Sequence, residues 1–217
     1  MSLQAMMEAA GAFPDHLLAG AEAVDGTPLP EGPFRNALII GMGGSAIGGT
    51  LAGGLLSKAS DIPIQVVRDH TIPGYVGEGT LVVATSYSGN TVETLDAVQD
   101  AVHRGATLVA ITTGGKLGEL AEQASAPTVE VPSGFQPRAA LGWLFAANYG
   151  VLARILEVGD PEAPRRAAKD LVGYVEELAQ VDGPAAEMAA TFTDDVVGVL
   201  GHDVFGVAAE RFAGQIN

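Results

Sequence analysis

The chain has 217 residues, enough for one complete domain and part of another, and its 47% hydrophobic fraction is normal for a globular core. A formal charge of −15, from 26 acidic and 11 basic side chains, excludes a generally basic surface for nucleic acid and repels anionic lipid. Cysteine is absent, which excludes disulfides and thiolate chemistry. Because the first residues lack the features of a signal peptide, we expect a soluble cytoplasmic protein that has no membrane partner.

The N-terminal part of the chain is predicted to be separate from the main domain. Residues Met1–Leu18 have the apolar spacing of a short amphipathic helix. The stretch Asp25–Pro33 is rich in proline and glycine and is predicted to be a loop. We therefore expect residues 1–34 to form a helix and a connecting loop.

Five apolar, mostly β-branched runs follow and alternate with helical stretches. The predicted strands are Asn36–Gly41, Ile62–Arg68, Thr80–Thr85, Thr107–Thr112 and Thr128–Val131. The predicted helices between them are Ser45–Ser57, Asn90–Arg104 and Lys116–Ala124, and the predicted loop is Asp69–Gly79. Such alternation is typical of an α/β fold, here a five-stranded parallel sheet flanked by helices in three αβα layers. We assign this domain to residues 35–156.

A long helix is predicted over Arg138–Leu156, and it is almost uncharged. A helix that is apolar on most sides must be buried on most sides, so we expect it in a domain or subunit interface. Its Trp143 and Phe145 are interpreted as packing groups. Two more helices, Arg165–Leu178 and Pro184–Thr191, are predicted within a helical linker over residues 157–192.

The strand–helix pattern then begins again near the end of the sequence. Asp195–Gly201 is predicted to be a buried strand and Val204–Ile216 a helix. A single strand and helix cannot bury their own apolar faces. We therefore expect residues 193–217 to be the first part of an incomplete second domain of the same type.

Two short turns in the main domain are rich in glycine and hydroxyl groups. Gly41-Met-Gly-Gly-Ser45 follows the first predicted strand, and Ser86-Tyr-Ser-Gly-Asn-Thr91 follows the third. A turn between a strand and a helix directs backbone N–H groups and the positive end of a helix dipole at one point, which suits a phosphate. Two such turns on one sheet predict a phosphorylated small molecule held from two sides.

Each turn also has a simpler interpretation. The pattern Gly41-x-Gly43-x-x-Ala46 fits the dinucleotide fingerprint, and Arg68 after the second strand would suit a 2′-phosphate. The same glycines could form only a tight turn. In the second turn, Asn90 or Thr91 could simply cap a helix. Capping uses one such residue, however, and does not explain the two serines of that turn.

Three motifs together resemble one family. They are Gly41-Met-Gly-Gly-Ser-Ala46, Ser86-Tyr-Ser-Gly-Asn-Thr-Val-Glu-Thr94 and Pro137-Arg-Ala-Ala-Leu141. In this order they resemble the sugar isomerase (SIS) domain, and more narrowly the bifunctional phosphoglucose/phosphomannose isomerases. The resemblance implies two SIS domains per subunit, a homodimer and no metal or redox cofactor. It implies interconversion of glucose 6-phosphate or mannose 6-phosphate with fructose 6-phosphate by an enediol mechanism, as in glycolysis and gluconeogenesis.

The resemblance also implies roles for individual residues. Arg138 would be catalytic, stabilising negative charge on the enediolate-like intermediate, a role that suits a permanently charged, planar donor. Gly43 and Gly44 would let the backbone approach the sugar. The residues that would bind the phosphate are Ser45, Ser86, Ser88 and Thr91.

Other parts of the family pattern are expected outside these residues. The match over Arg211–Asn217 ends at the asparagine that precedes the catalytic glutamate of the family, and the ring-opening histidine and a later lysine follow it. Thr50 stands where the family commonly has aspartate. We therefore expect residues 1–217 to bind sugar phosphates and to be nearly inactive.

The histidines and carboxylates of this chain are weak substitutes for the catalytic glutamate and the ring-opening histidine of the family. The histidines are His16, His70, His103 and His202, of which only His202 is predicted to face a cleft. Glu93 is the carboxylate nearest the second turn, and its position is more typical of a structural residue. Two other functions stay open, namely a non-catalytic SIS module that senses a sugar phosphate and an NADP-binding Rossmann protein.

Overall fold

A computed structural model describes residues 3–136, 138–180, 182–192 and 196–216, and it confirms the predicted α/β fold. The strands are β1 Asn36–Gly41, β2 Ile64–Val67, β3 Thr80–Ser86, β4 Thr107–Thr112 and β5 Thr128–Glu130. They form a single five-stranded sheet in the order β2-β1-β3-β4-β5, and every neighbouring pair is parallel. The central strand β3 is buried along its whole length because helices cover both of its faces.

Helices occupy nearly all of the predicted helical stretches. They are α1 Leu3–Gly11, α2 Phe13–Asp25, α3 Gly43–Leu56, α4 Val92–His103, α5 Gly115–Gln123, α6 Leu141–Ile155, α7 Ala163–Leu178, α8 Pro184–Ala190 and α9 Val204–Ile216. The predicted loop Asp69–Gly79 contains no helix or strand. Among the helices that the structure describes, none is long and apolar enough to cross a lipid bilayer.

The core has two halves, one on each face of the sheet. Along the strands, alternate residues point to opposite faces, so Ile39 and Val83 belong to one half and Leu38 and Val82 to the other. The first half packs against α2, α3 and α6. The second half packs against α4 and α5. Together these contacts produce the three predicted layers.

The prediction for the N-terminal segment was wrong in its extent. In place of one helix ending at Leu18, α1 and α2 follow one another, and α2 continues to Asp25. Pro14 lies at the start of α2, where a missing N–H costs nothing, so the chain begins a new helix there. The continuation has a packing reason, because Leu17, Ala21 and Val24 of α2 are buried. Residues 1 and 2 lie outside the described part.

The predicted strand Asp195–Gly201 is also wrong where the structure describes it. Asp195 lies outside the described residues, and residues 196–201 form no helix or strand. Val196 and Leu200 are almost fully exposed, at 101% and 96%. A strand needs a neighbour for its backbone hydrogen bonds, and none pairs with this segment in the described sheet. The helix predicted after it is confirmed as α9.

Helix α6 is buried inside this chain. It packs against α2 on one side, α3 on another and the sheet beneath. Trp143 is buried and Phe145 is half-buried against Tyr149, which confirms both as packing groups. The apolar surface of α6 therefore does not require a subunit interface, and the reason for expecting one at this helix is removed.

Glycines allow α3 to lie very close to its neighbours. A Cβ atom on Gly48 would be 2.9 Å from the backbone nitrogen of Phe145, and one on Gly49 would be 2.5 Å from Cγ2 of Ile39. Both glycines are buried between the sheet and α6. The short strand-to-helix distance fixes where the first residues of α3 lie.

Substitution of these glycines tests the close packing. We expect Gly49→Ala to lower the free energy of unfolding by about 1–3 kcal/mol, because its methyl group overlaps Ile39. Gly54→Ala in the same helix meets no atom within 4 Å and should raise it by up to about 1 kcal/mol, through helix propensity. Urea unfolding measures both, and equal effects of the two substitutions would contradict the packing argument.

A buried histidine lies in the contact between α2 and α6. The rings of His16 and Trp143 stack with centroids 3.6 Å apart, and Phe135 meets His16 edge-on at 5.5 Å. Burial lowers the pKa of His16, although Asp15 and a backbone hydrogen bond at Ala139 partly oppose this. His16 therefore packs in the core, where burial favours its neutral form.

This burial predicts a dependence of stability on pH. Because the folded pKa is lowered, the unfolded chain binds the proton more readily, and stability is lost as the pH falls below the ordinary histidine value of about 6.5. We expect the unfolding free energy of His16→Phe to change less than that of the unmodified chain between neutral and mildly acidic pH. His103→Gln serves as the control and should retain the original pH dependence. An unchanged dependence in His16→Phe would contradict the assignment.

Candidate anion-binding site

The two predicted turns lie side by side at the carboxyl edge of the sheet. Strands β1 and β3 are parallel neighbours, and Gly41 pairs with Thr85 in their register. The turns that follow them therefore leave the sheet at the same level. From β1 the chain continues to β2 on one side, and from β3 it continues to β4 on the other side, so the connections diverge between β1 and β3. Open α/β sheets bind ligands at such a point.

The first turn joins β1 directly to α3. Met42 is extended, and Gly43 has a φ of +52°, a conformation that glycine adopts without strain. A Cβ atom on Gly41 would be 2.9 Å from the carbonyl oxygen of Thr85, so glycine permits the close approach of the two turns. Helix α3 begins two residues before its predicted start. The N–H groups of Gly43 and Gly44 consequently lie in its first turn, where they have no carbonyl within the helix to bond.

A hydrogen bond joins the two turns. The N–H of Tyr87, in the second turn, donates to Oγ of Ser45, in the first, at 3.1 Å. Both residues are buried, and Ser45 is only 8% exposed. A hydroxyl that accepts this bond still has its own O–H to donate.

The second turn has further hydroxyl groups in fixed positions. Oγ of Ser86 and Oγ1 of Thr91 are 3.0 Å apart and share one hydrogen bond. The N–H of Asn90 donates to Oγ of Ser88 at 3.3 Å. Gly89 has a φ of +67°, and a Cβ atom there would lie 1.8 Å from the carbonyl oxygen of Gly114. Glycine is therefore required at this position.

Simple helix capping does not explain this turn. Thr91 precedes α4, but its side chain makes no capping hydrogen bond and pairs with Ser86. The side chain of Asn90 bonds the carbonyl oxygen of Ser88 and the backbone N–H of Lys116, at the start of a different helix. The hydroxyls of this turn are therefore not used to begin α4.

A count of hydrogens shows what the joined turns can bind. Ser45 and Ser88 each keep one O–H, and the pair Ser86 and Thr91 has two hydrogens for one bond, which leaves three O–H donors. The amino-terminal ends of α3 and α4 add free N–H groups and positive dipole ends. A phosphate group offers three acceptor oxygens. The arrangement suits one such anion in a chain whose overall charge is negative.

A third turn, which the sequence analysis did not identify, supports the second. Residues Thr112–Lys116 connect β4 to α5, and Oγ1 of Thr113 donates to the carbonyl oxygen of Tyr87 at 2.8 Å. The N–H of Leu117 donates to the carbonyl oxygen of Gly89 at 2.9 Å. The sequence Thr-Thr-Gly-Gly-Lys, again rich in hydroxyl and glycine after a strand, was the signal that could have revealed it.

Arg138 is not joined to either turn by a contact within the described residues. It lies exposed in the segment before α6, and the guanidinium of Arg211 donates to its carbonyl oxygen. Burial, and then the charge of Arg138, lowers the pKa of Arg211. The motif residue Pro137 lies outside the described part. The catalytic role of Arg138 therefore stays a prediction.

The other candidate side chains lie elsewhere. His70 is exposed and 3.0 Å from a carboxylate oxygen of Asp96, whose hydrogen bond raises the pKa of His70. His202 is exposed and precedes α9, and Glu93 is half-exposed in the first turn of α4. His103 ends the same helix. None of these four histidine and glutamate residues bonds to the two turns in the part of the chain that is described.

Two residues near β2 are bonded to each other. Oγ1 of Thr50 donates to the carbonyl oxygen of Ala46 and accepts from Nη2 of Arg68, both at 2.8 Å. Arg68 also forms an ion pair with Glu210 of α9. Arg68, which would suit a nucleotide 2′-phosphate, is therefore already bonded to Thr50 and Glu210.

The fold and the paired turns define an α/β domain with a candidate anion-binding site at the carboxyl edge of its sheet, and comparison gives its family. The family model of the SIS domain matches residues 34–133, which contain all five strands and all three turns. This part of the chain belongs to the SIS domain family. An Escherichia coli tagatose-6-phosphate ketose/aldose isomerase structure superposes with a TM-score of 0.66 at 19% identity, covering 83% of this chain and 52% of that one, which shows the shared fold.

Several named relatives are similar in sequence. The bifunctional phosphoglucose/phosphomannose isomerase of Caldicellulosiruptor bescii is 55% identical over 108 residues, which cover 50% of this chain and 32% of that protein. The bifunctional phosphoglucose/phosphomannose isomerase of Aquifex aeolicus is 36% identical over 186 residues, which cover 85% of this chain and 56% of that protein. A D-glucosamine-6-phosphate 4-epimerase of Sulfolobus acidocaldarius is 33% identical over 179 residues, which cover 82% of this chain and 55% of that protein. The chain thus spans between a third and just over half of the length of these relatives.

The bond between the turns can be tested by substitution. We expect Ser45→Ala to lower the free energy of unfolding by about 1–3 kcal/mol, because the buried N–H of Tyr87 loses its acceptor. Amide hydrogen exchange at Tyr87 should become faster. Ser57→Ala, at an exposed position at the opposite end of the same helix, should change stability by less than about 0.5 kcal/mol. If exchange at Tyr87 is unchanged in Ser45→Ala, the bond does not hold the turns together.

Proposed function

We propose that this chain binds a hexose 6-phosphate at the two joined turns and forms the phosphate-binding half of an aldose–ketose isomerase. The reaction is the interconversion of glucose 6-phosphate or mannose 6-phosphate with fructose 6-phosphate. The observation that carries the proposal is the set of three unused O–H donors at one edge of the sheet. The names of the relatives from Caldicellulosiruptor bescii and Aquifex aeolicus support the choice of reaction.

The phosphate site would fix the sugar for proton transfer. A base removes the proton from C2 of the open-chain aldose, an enediolate forms, and a proton delivered to C1 gives the ketose. Holding the phosphate through several donors restricts the position of C1 and C2 relative to the base. In this proposal Arg138 stabilises the negative oxygen of the enediolate, and Gly43 and Gly44 allow the backbone to approach the sugar.

The proposal divides the chemistry between two parts of the protein. Residues 1–217 hold the phosphate, and the family pattern assigns proton transfer and ring opening to residues that follow the match at Arg211–Asn217. A homodimer also belongs to the proposal because the resemblance implies it, and so does the cytoplasmic location that was expected from the sequence. Under this division, residues 1–217 bind the sugar phosphate and do not isomerise it at an ordinary enzymatic rate.

A second candidate function is supported by similarity to an epimerase. Similarity to the D-glucosamine-6-phosphate 4-epimerase extends over 82% of this chain, so a hexosamine 6-phosphate is a second candidate ligand for the same turns. Both ligands present a 6-phosphate to the hydroxyl groups. They differ at C2, and titration with both therefore distinguishes them.

Ligand titration tests the proposed function. We expect fructose 6-phosphate, and more strongly the enediolate mimic 5-phosphoarabinonate, to raise the melting temperature of residues 1–217. Ser88→Ala should weaken binding at least about 10-fold, because a hydrogen bond to a charged group is worth about 1.5–3 kcal/mol. Ser60→Ala, which lies before β2 at the opposite edge of the sheet, is the matched control and should bind normally.

Titration with other ligands and an isomerisation assay give the results that would contradict the proposed function. Stronger stabilisation by glucosamine 6-phosphate than by fructose 6-phosphate would favour the epimerase-like alternative. Stabilisation by NADPH alone would replace the proposal with a dinucleotide site at the first turn. Isomerisation of fructose 6-phosphate by residues 1–217 at an ordinary rate would contradict the division of the chemistry.

A further inference from the structure

Lys116 occupies a position that local helix physics disfavours. It is the second residue of α5, and it is exposed. The first turn of a helix carries a partial positive charge, so a cation there is electrostatically unfavourable. A residue that opposes local preference often has a function that compensates for it.

Among the residues that the structure describes, Lys116 also lacks a carboxylate partner. In this acidic chain the cations Lys58, Arg68, Arg104 and Arg165 each form an ion pair with aspartate or glutamate. Lys116 forms none within residues 3–136 and the other described segments. Its positive charge is therefore available to an anion from outside the chain.

The backbone holds Lys116 next to the second turn. Its N–H donates to Oδ1 of Asn90 at 3.3 Å, and the N–H of Asn90 in turn donates to Oγ of Ser88 at 3.3 Å. The glycine before it packs directly on the same residues, because a Cβ atom on Gly115 would be 2.6 Å from the carbonyl oxygen of Ser88. The start of α5 is thus fixed beside the hydroxyl groups of the candidate site.

We propose that Lys116 is a further ligand-binding residue of this site, and that its ammonium group contacts the phosphate of the bound sugar phosphate. A lysine ammonium is a compact charge on a flexible stem and is a common phosphate ligand. It supplies the positive charge that the serine and threonine hydroxyls do not. The inference rests on the proposed function, since it concerns the same ligand and the same two turns.

The test compares three variants of the 217-residue chain by calorimetric titration with fructose 6-phosphate at low and high salt. We expect Lys116→Gln to weaken binding about 10-fold at low salt and to make the affinity less dependent on salt, because screening acts on a charge that is no longer present. Lys116→Arg should retain most of the affinity. Lys169→Gln removes an exposed lysine of α7 and serves as the control with unchanged binding.

The outcomes separate the two proposals. If the unmodified chain binds fructose 6-phosphate and Lys116→Gln binds it equally well, with the same salt dependence, the inference about Lys116 is overturned and the proposed function stands. If the unmodified chain binds no sugar phosphate, the proposed function is overturned and the inference with it. Equal melting temperatures of the unliganded variants show that a loss of affinity does not arise from unfolding.

Discussion

The parallel pairing of β1 and β3 is the constraint on which the candidate site depends. Their register places Gly41 beside Thr85, so the two turns that follow begin at the same level. The bond from the Tyr87 N–H to Oγ of Ser45 then closes the remaining distance between the turns. A shift of one residue in this register would separate the hydroxyl groups of the first turn from those of the second.

Glycine has two separate physical roles around this pairing. In α3, Gly48 and Gly49 remove side chains from the contacts with α6 and the sheet, so the helix lies close to β1. In the turns, Gly43 and Gly89 adopt positive φ angles that direct the backbone around the candidate site. The first role sets the position of the helix, and the second sets the direction of its N–H groups.

The net charge of the chain limits the ways in which it could hold an anion. With a formal charge of −15, the surface as a whole repels a phosphate at long range. Binding must therefore come from short-range donors, and the joined turns offer hydroxyl groups and helix ends at one place. Our proposal for Lys116 adds one cation to this set. Most other arginines and lysines are occupied by carboxylates on the surface.

The five strands of the sheet, most helices and both predicted turns were predictable from the sequence, because these depend on local patterns. Buried parallel strands are continuous apolar runs, and the glycine and hydroxyl residues of the turns are adjacent in the chain. The bond between Ser45 and Tyr87, the third turn and the identity of the elements that bury α6 became visible only in the folded chain. The tertiary structure also showed that residues 196–201 form no strand, since strand pairing and burial depend on neighbours that are distant in sequence.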